Sequence, residues 1–182
     1  MQKSYPKEFI DGERIFLRKH ELATAPVMFA CIDEDRDRLK EFLPWVAFTK
    51  TVRDSEEYIR GTHVDWQDQL IFDFGIFRKP DRVYIGNIGV HAISWEHECA
   101  EIGYWINGAN EGKGFISEAV RMVEQELFRL GFHRIEIRCN ANNIRSAAVP
   151  SRGGYKLEGT LQEHRIEFDR RRDTAIWAKL KN

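Results

Sequence analysis

The sequence has no long hydrophobic run, few cysteines and almost no net charge. No stretch of about 18 consecutive apolar residues occurs, so we expect no transmembrane helix and no membrane partner. The first residues, MQKSYPKEF, lack the apolar centre of a signal peptide. The cysteines are odd in number and far apart, which predicts reduced thiols in a cytoplasmic protein rather than a disulfide framework; they are Cys31, Cys99 and Cys139.

The charged residues nearly cancel, with 28 Lys and Arg against 29 Asp and Glu. Such a balance gives no general attraction to nucleic acid, so we expect no nucleic-acid partner. The spacing of His91, His97, Cys99 and Cys139 matches no zinc pattern, and we expect no metal site. A length of 182 residues, 42% of them hydrophobic, predicts a single domain over residues 1–182.

Short strand-like and helical patterns alternate in the N-terminal part. Residues 14–18 alternate apolar and polar side chains, which predicts a strand. Apolar residues at helical spacing predict a helix over 21–32, and a polar helix continues until Pro44 stops it. Asp54 with Glu57 resembles a capping box, which predicts that the next helix begins there.

Strands dominate the middle of the chain, and a long helix follows them. Apolar runs predict strands over 70–77, 82–94 and 100–106. Gly131 ends the helix that comes next. Six apolar residues at helical spacing form its single stripe: Ile116, Ala119, Val120, Val123, Leu127 and Leu130.

A short helix between strands completes the chain. Residues 133–139 predict a strand, and Asn143 caps a helix over 144–152. Two strands, over 155–168 and 173–181, follow. Together these elements predict an α+β or α/β domain with one mixed sheet and helices on both of its faces.

The stretch NEGKGFISEAV places a glycine-rich loop directly before the long helix. Backbone N–H groups and the positive end of the helix dipole favour an anion there, and Gly112 and Gly114 allow close approach. Ser117 adds a hydroxyl. The P-loop and dinucleotide patterns both fail on these letters. A third pattern for a pyrophosphate-binding loop, [Q/R]-x-x-G-x-[G/A], fits better than these two. A plain tight turn that binds no ligand is the alternative.

Three segments together resemble the RimJ/RimL-type branch of the GNAT superfamily of N-acetyltransferases. They are AEIGYWINGANEGKGFISEAV, LGFHRIEIRCNANNIRSAAVPSRGGYKLEG and the earlier LRKHELATAPVMFACIDEDRDRLKEFLPW. The resemblance covers nearly the whole chain. It implies the GNAT fold, with a mixed and mostly antiparallel sheet. It also implies an enzyme that transfers an acetyl group directly from acetyl-CoA to a primary amine, such as the N-terminal amine of a ribosomal protein.

The resemblance also implies a set of coenzyme-binding residues. Glu111 takes the Gln/Arg position of the family loop, so an acidic side chain stands where the family has a neutral or basic one. Gly114 takes the central glycine position and Ile116 the last. The expected binding set is Tyr104, Trp105, Ile106, Glu111, Gly112, Lys113, Gly114, Phe115, Ile116, Ser117, Asn143 and Ser146.

The catalytic groups are expected around the gap between the strands at 101–106 and 133–139. The resemblance places Ser146 near the thioester sulfur, as the acid that protonates the leaving thiolate, and backbone N–H groups near 104–106 would polarise the thioester carbonyl. We expect Glu101 to be the base that takes the proton of the amine through a water. His91, Glu163 and His164 are the other options, since Arg165 occupies the position of the family's glutamate.

The sequence leaves the acceptor and the assembly open. Trp45 and Phe48 are candidates for an acceptor pocket, and Arg170–Arg172, read as a hairpin tip, for contact with an acidic acceptor. A protein N-terminus is the leading acceptor. The alternatives are a small-molecule amine, such as a polyamine or an amine antibiotic, and a non-catalytic domain that binds coenzyme A. The resemblance is also compatible with a homodimer.

Overall fold

An eight-stranded sheet forms the centre of the computed structural model, which describes residues 3–181. Its strands in chain order are β1 (Phe9–Asp11), β2 (Ile15–Lys19), β3 (Phe72–Arg78), β4 (Tyr84–Ser94), β5 (Cys99–Ile106), β6 (Arg134–Asn140), β7 (Lys156–Glu167) and β8 (Arg170–Leu180). The spatial order is β1-β2-β3-β4-β5-β6-β8-β7.

The sheet is mixed and mostly antiparallel, as predicted. The pair β5 and β6 is parallel, whereas the other neighbouring strands run antiparallel. Pairing between β5 and β6 is short, because only Cys99–Glu101 align with Arg134–Glu136. Beyond those residues the two strands separate and leave a gap in the sheet.

Helices cover both faces of this sheet. They are α1 (Ala25–Glu34), α2 (Arg36–Leu39), α3 (Val52–Gln67), α4 (Phe115–Leu130) and α5 (Ile144–Arg152). Successive strand residues point to opposite faces. Accordingly, Ile76 belongs to the hydrophobic cluster that includes the apolar stripe of α4, and Phe77 belongs to the cluster that includes α1.

Helix α4 follows its sequence pattern closely. All six residues of the predicted stripe are buried, so the stripe is the core-facing side of the helix. Gly131 ends the helix with a φ of 105°, a left-handed conformation that glycine adopts without steric cost. The end of the helix therefore matches the prediction.

Two predictions in the N-terminal part are wrong. The polar helix expected to reach Pro44 is only the four-residue α2. Arg36 donates hydrogen bonds of 2.7 Å to the carbonyls of Val46 and Thr49, so the chain after α2 folds back against this helix. The capping box of α3 joins Thr51 and Asp54, not Asp54 and a later glutamate. The Asp54 carboxylate accepts the Thr51 N–H at 2.7 Å, so the helix starts earlier than expected.

The hairpin tip near the C-terminus is also shifted. Arg170–Arg172 open β8 instead of forming the turn. Phe168 and Asp169 form the turn, with φ values of 51° and 59°. Two consecutive positive φ angles match the twist of a two-residue hairpin, which explains why the arginines lie on the strand. Within residues 3–181, none of the helices combines the length and apolar character that crossing a bilayer requires.

Candidate functional site

A cavity of about 1720 Å³ opens where β5 and β6 separate. Residues of β3, β4 and β5 line one part of it, together with α3 and the segment around α2. The glycine-rich loop, α5 and the ends of β6 and β7 line the other part. The cavity therefore joins the predicted coenzyme loop to the region expected to receive the acceptor.

The glycine-rich loop has the geometry of an anion site. Gly112 and Gly114 have φ values of 72° and 79°, so both use conformations that other residues rarely adopt. Gly114 is the N-cap of α4, so the backbone N–H groups of the first helical turn point toward the cavity. The carbonyl of Lys113 accepts a hydrogen bond of 2.8 Å from Arg14, which holds the loop from outside.

The first turn of α4 is anchored by a buried carboxylate. Glu118 is 2% exposed and accepts hydrogen bonds of 2.8 Å from the backbone N–H groups of Glu13 and Arg14. The Arg14 side chain adds an ion pair of 2.9 Å. Burial alone would raise the pKa of Glu118, but the hydrogen bonds from Arg14 and Ile15 outweigh it and lower the pKa below its ordinary value. The loop is thereby fixed against the β1–β2 turn.

The acidic residue of the loop, Glu111, has two cationic partners. Arg38 Nη1 lies 2.9 Å from Glu111 Oε2, and Arg145 Nε lies 3.4 Å from Oε1. Arg38 also donates to Asp35 and to the carbonyl of Ile106. The negative charge at this position is thus compensated within the protein, so it opposes a bound phosphate less than an unpaired carboxylate would.

Most of the expected coenzyme-binding residues line the cavity. Tyr104, Trp105, Ile106, Glu111, Gly112, Gly114, Phe115, Ile116, Ser117, Asn143 and Ser146 all do. Lys113 is not among the lining residues. Arg38 binds the Ile106 carbonyl from the open side of β5, so the N–H groups of Ile106 and Tyr104 also point into the gap.

Two hydroxyl groups meet beside the gap. Asn143 Oδ1 accepts the Ser146 N–H at 3.0 Å, which caps α5 and places Ser146 in its first turn. The Tyr104 hydroxyl donates to the Ser146 carbonyl at 3.0 Å, and Ser146 Oγ lies 3.4 Å from the Tyr104 oxygen. Burial raises the pKa of Tyr104, so its hydroxyl stays protonated. The long contact leaves the Ser146 hydroxyl free to turn toward a ligand.

The predicted base candidates divide into two groups. Glu101 is 9% exposed, lines the cavity and faces His91 across the sheet, with 3.9 Å between Oε1 and His91 Nε2. Arg138 Nε lies 3.5 Å from Glu101 Oε2. Glu163 and His164 lie outside the cavity lining, on the exposed strand β7. The geometry therefore brings Glu101 and His91 to the gap and leaves the other pair away from it.

The acceptor side contains expected and unexpected residues. Trp45 and Phe48 line the cavity, and the Trp45 ring is 5.9 Å from the ring of Trp105. Arg170–Arg172 are not among the lining residues. Sequence reasoning missed Asp73, a 3% exposed carboxylate that also lines the cavity. The sequence feature that could have identified Asp73 is its position as an aspartate inside the apolar run LIFDFGIF.

Metal-ligating residues do not cluster in the part of the chain that the structure describes. Residues 3–181 contain no group of three or more His, Cys, Asp or Glu side chains suited to holding an ion.

Known proteins resemble the chain over most of its length. Residues 14–156 match the family model described as "Acetyltransferase (GNAT) domain". The ribosomal-protein-serine acetyltransferase of Escherichia coli (strain K12) is 27% identical over 154 residues, covering 84% of this chain and 85% of that protein.

Solved structures share the same fold. The Microcin C7 self immunity acetyltransferase MccE, solved with acetyl-CoA and AMP, is 27% identical with a TM-score of 0.89, covering 93% of each chain. RimL, described as a ribosomal L7/L12 alpha-N-protein acetyltransferase in complex with coenzyme A, is 22% identical with a TM-score of 0.90. It covers 95% of this chain and 98% of its own.

Proposed function

The chain belongs to the GNAT acetyltransferase family and is an acetyl-CoA-dependent N-acetyltransferase; we propose that its acceptor is the amino group at a protein N-terminus. The observation that supports this most is that the cavity runs from the glycine-rich loop to Phe48, which is 77% exposed, so the acceptor side is open to solvent. An open cleft admits the end of a polypeptide, whereas a closed pocket would not. The relative named ribosomal-protein-serine acetyltransferase supports the same class of acceptor.

The loop residues bind the pyrophosphate of the coenzyme in this proposal. The N–H groups of residues 112–117 and the N-terminal end of α4 supply hydrogen bonds and positive dipole. The pantetheine arm lies in the gap between β5 and β6, where Tyr104 and Ile106 offer backbone N–H groups and Asn143 caps the adjoining helix. This arrangement leaves the thioester between Ser146 and Glu101.

The same residues carry out the transfer. The acceptor nitrogen attacks the thioester carbon, a new C–N bond forms, and the C–S bond breaks. N–H groups on the open side of β5 stabilise the negative charge that develops on the carbonyl oxygen. Ser146 gives its proton to the departing thiolate, and Glu101 takes a proton from the acceptor amine through a water.

Thermal melting with acetyl-CoA, followed by thiol release on an amine panel, tests the proposal. A coenzyme that binds only the folded state raises the melting temperature. The panel contains N-terminally free peptides, the same peptides with blocked N-termini, polyamines and amine antibiotics. We expect a shift in melting temperature and release that requires a free N-terminus. Release with the small amines alone would overturn the proposed acceptor.

A small-molecule amine is the second candidate acceptor. The similarity to MccE, whose structure contains acetyl-CoA and AMP, supports it. The same panel separates the two candidates, because only a protein-directed enzyme would discriminate between free and blocked peptides.

We also propose a reducing cytoplasm as the compartment and a homodimer as the assembly. The three cysteines, Cys31, Cys99 and Cys139, are free thiols, which suits a reducing environment. The edge strand β7 exposes the apolar side chains of Leu157 and Ile166, which favours association. Analytical ultracentrifugation measures the assembly directly, and a monomer at micromolar concentration would overturn it.

A further inference from the structure

A row of three residues crosses the sheet on the acceptor side of the cavity. Asp73 of β3 pairs with Gly89 of β4, and Gly89 pairs with Gly103 of β5. Directly paired residues project to the same face of a sheet. The floor of the cavity therefore has a carboxylate on β3 and glycines at the paired positions of β4 and β5, up to the gap where the thioester is proposed to lie.

Neighbouring side chains occupy the space above the two glycines, the Asp73 carboxylate above Gly89 and the His91 ring above Gly103. A Cβ atom at Gly89 would lie 2.6 Å from Asp73 Oδ1, and a Cβ atom at Gly103 would lie 2.8 Å from His91 Nε2. Both distances are too short for a side chain to be tolerated without movement. The Asp73 carboxylate thus extends over the backbone of Gly89, about one strand spacing, roughly 5 Å, from Gly103.

The hydrogen bonds of Asp73 come from neutral groups. The Tyr58 hydroxyl donates to Oδ2, and Asn87 Nδ2 donates to Oδ1 at 2.8 Å. Within residues 3–181, no Lys or Arg nitrogen lies within 4.0 Å of this carboxylate. A carboxylate has about four lone-pair positions, so two bonds leave capacity for a further donor.

His20 is the nearby group that could carry a positive charge. Its Nε2 lies 3.4 Å from Asp73 Oδ2 and 2.5 Å from Asn87 Oδ1. Its Nδ1 is buried and has no partner among the described residues. The His20 ring therefore has no acceptor for a second N–H. Asp73 has no Lys or Arg nitrogen beside it among the described residues.

A buried carboxylate without a cation is costly, and a ligand cation would remove that cost. We propose that Asp73 binds a second cationic group of the acceptor, one strand spacing from the amine that is acetylated. This inference rests on the proposed function, because it places the reacting amine at the gap beside Gly103.

The chemistry required is an amine with a second ammonium group a short distance away. The side chain of an N-terminal lysine supplies it, and so does a short diamine. The test uses two matched pairs of acceptors. Peptides that begin with lysine or with norleucine differ only in the terminal ammonium group, and so do 1,4-diaminobutane and butylamine.

Steady-state kinetics on each pair measure the ratio of kcat/KM for the charged and the uncharged acceptor. We expect a ratio of about tenfold or more in at least one pair, the size of one hydrogen bond to a charged group. The pair that shows the ratio identifies the source of the cation. Asp73→Asn should bring that ratio close to 1. Asp65→Asn, the same change at a residue of α3 outside the cavity lining, should keep it.

Folding of the variant is checked by the increase in melting temperature that acetyl-CoA produces, which should match that of the unaltered protein. Should Asp73→Asn fail to fold, Gly89→Ala is the second variant, because its methyl group displaces the carboxylate. Thiol release with no preference within either pair, or a preference that survives both variants, would overturn this inference alone. Absence of release with all four acceptors would overturn the proposed function together with it.

Discussion

Arg38 binds Glu111 through a contact of 2.9 Å between Nη1 and Oε2, and this contact joins α2 to the glycine-rich loop. Asp35 accepts the Gly108 N–H at 2.7 Å in the same region. A Cβ atom at Gly108 would lie 2.9 Å from Arg38 Nε, so the guanidinium fits directly against a residue that lacks a side chain. The segment around α2 and the glycine-rich loop are thus joined by direct polar contacts.

Removal of Arg38 should weaken the binding of acetyl-CoA. Arg38→Ala leaves the Glu111 carboxylate with only the longer contact to Arg145, beside the site proposed for the pyrophosphate. We expect the KM for acetyl-CoA to rise about tenfold, which corresponds to about 1.4 kcal/mol. The double variant Arg38→Ala with Glu111→Gln should recover most of that loss. Arg60→Ala, an exposed arginine of α3, is the control and should change the KM little.

Loss of the Ser146 hydroxyl should slow the chemical step. A positioned proton donor contributes about 100-fold or more to such a reaction, so Ser146→Ala should lower kcat by about 100-fold. The backbone of residue 146 still binds Tyr104 and Asn143, so the KM for acetyl-CoA should change little. Ser151→Ala, on the exposed side of the same helix, should behave as the unaltered protein. An unchanged kcat for Ser146→Ala would remove this residue from the mechanism.

Replacement of Glu101 should change the pH profile. Its carboxylate lies at the gap between His91 and Arg138. An N-terminal amine has a pKa near 8, so at high pH much of the acceptor is already neutral and needs no base. Glu101→Gln should therefore depress kcat/KM mainly at lower pH. A profile of the same shape would contradict the role of Glu101, and Glu96→Gln, in the exposed turn before β5, controls for the change of charge.

The Glu118 anchor should make the stability of the protein depend on acid. Its pKa is lowered in the folded state, so its contribution is complete above the unfolded value, near 4.3, and is lost as the pH falls through the folded value. Glu118→Gln should lower the free energy of unfolding by about 2 kcal/mol at pH 7. Urea denaturation at several pH values should show this difference shrinking below about pH 4. A difference that stays constant would contradict the assignment.

The helices that follow a strict apolar spacing are the ones that the sequence predicts well. Helix α4 was predicted from the six residues of its stripe and from Gly131, and all of that is local information. Helix α2 was predicted to be much longer than it is, because Arg36 reaches the carbonyls of Val46 and Thr49. Such contacts depend on the path of the chain, which propensities do not describe.

The residues of the site were likewise predictable only where a local motif defines them. The glycine-rich loop and Asn143 were identified because motifs of consecutive residues define them. Asp73 was missed because its importance depends on strand register, which places two glycines from other strands beside it. Glu111 departs from the family pattern in the sequence itself, but its compensation by Arg38 comes from a helix 73 residues away in the chain.

Few backbone hydrogen bonds join the two halves of the sheet, because the parallel pairing of β5 and β6 is short. Only residues 99–101 and 134–136 align, so the rest of the facing edges is open. A coenzyme arm seated there would occupy the place of a missing strand and bond to both edges. Amide hydrogens of 103–106 and 137–140 would then exchange with solvent more slowly, and the substrate itself would complete the sheet.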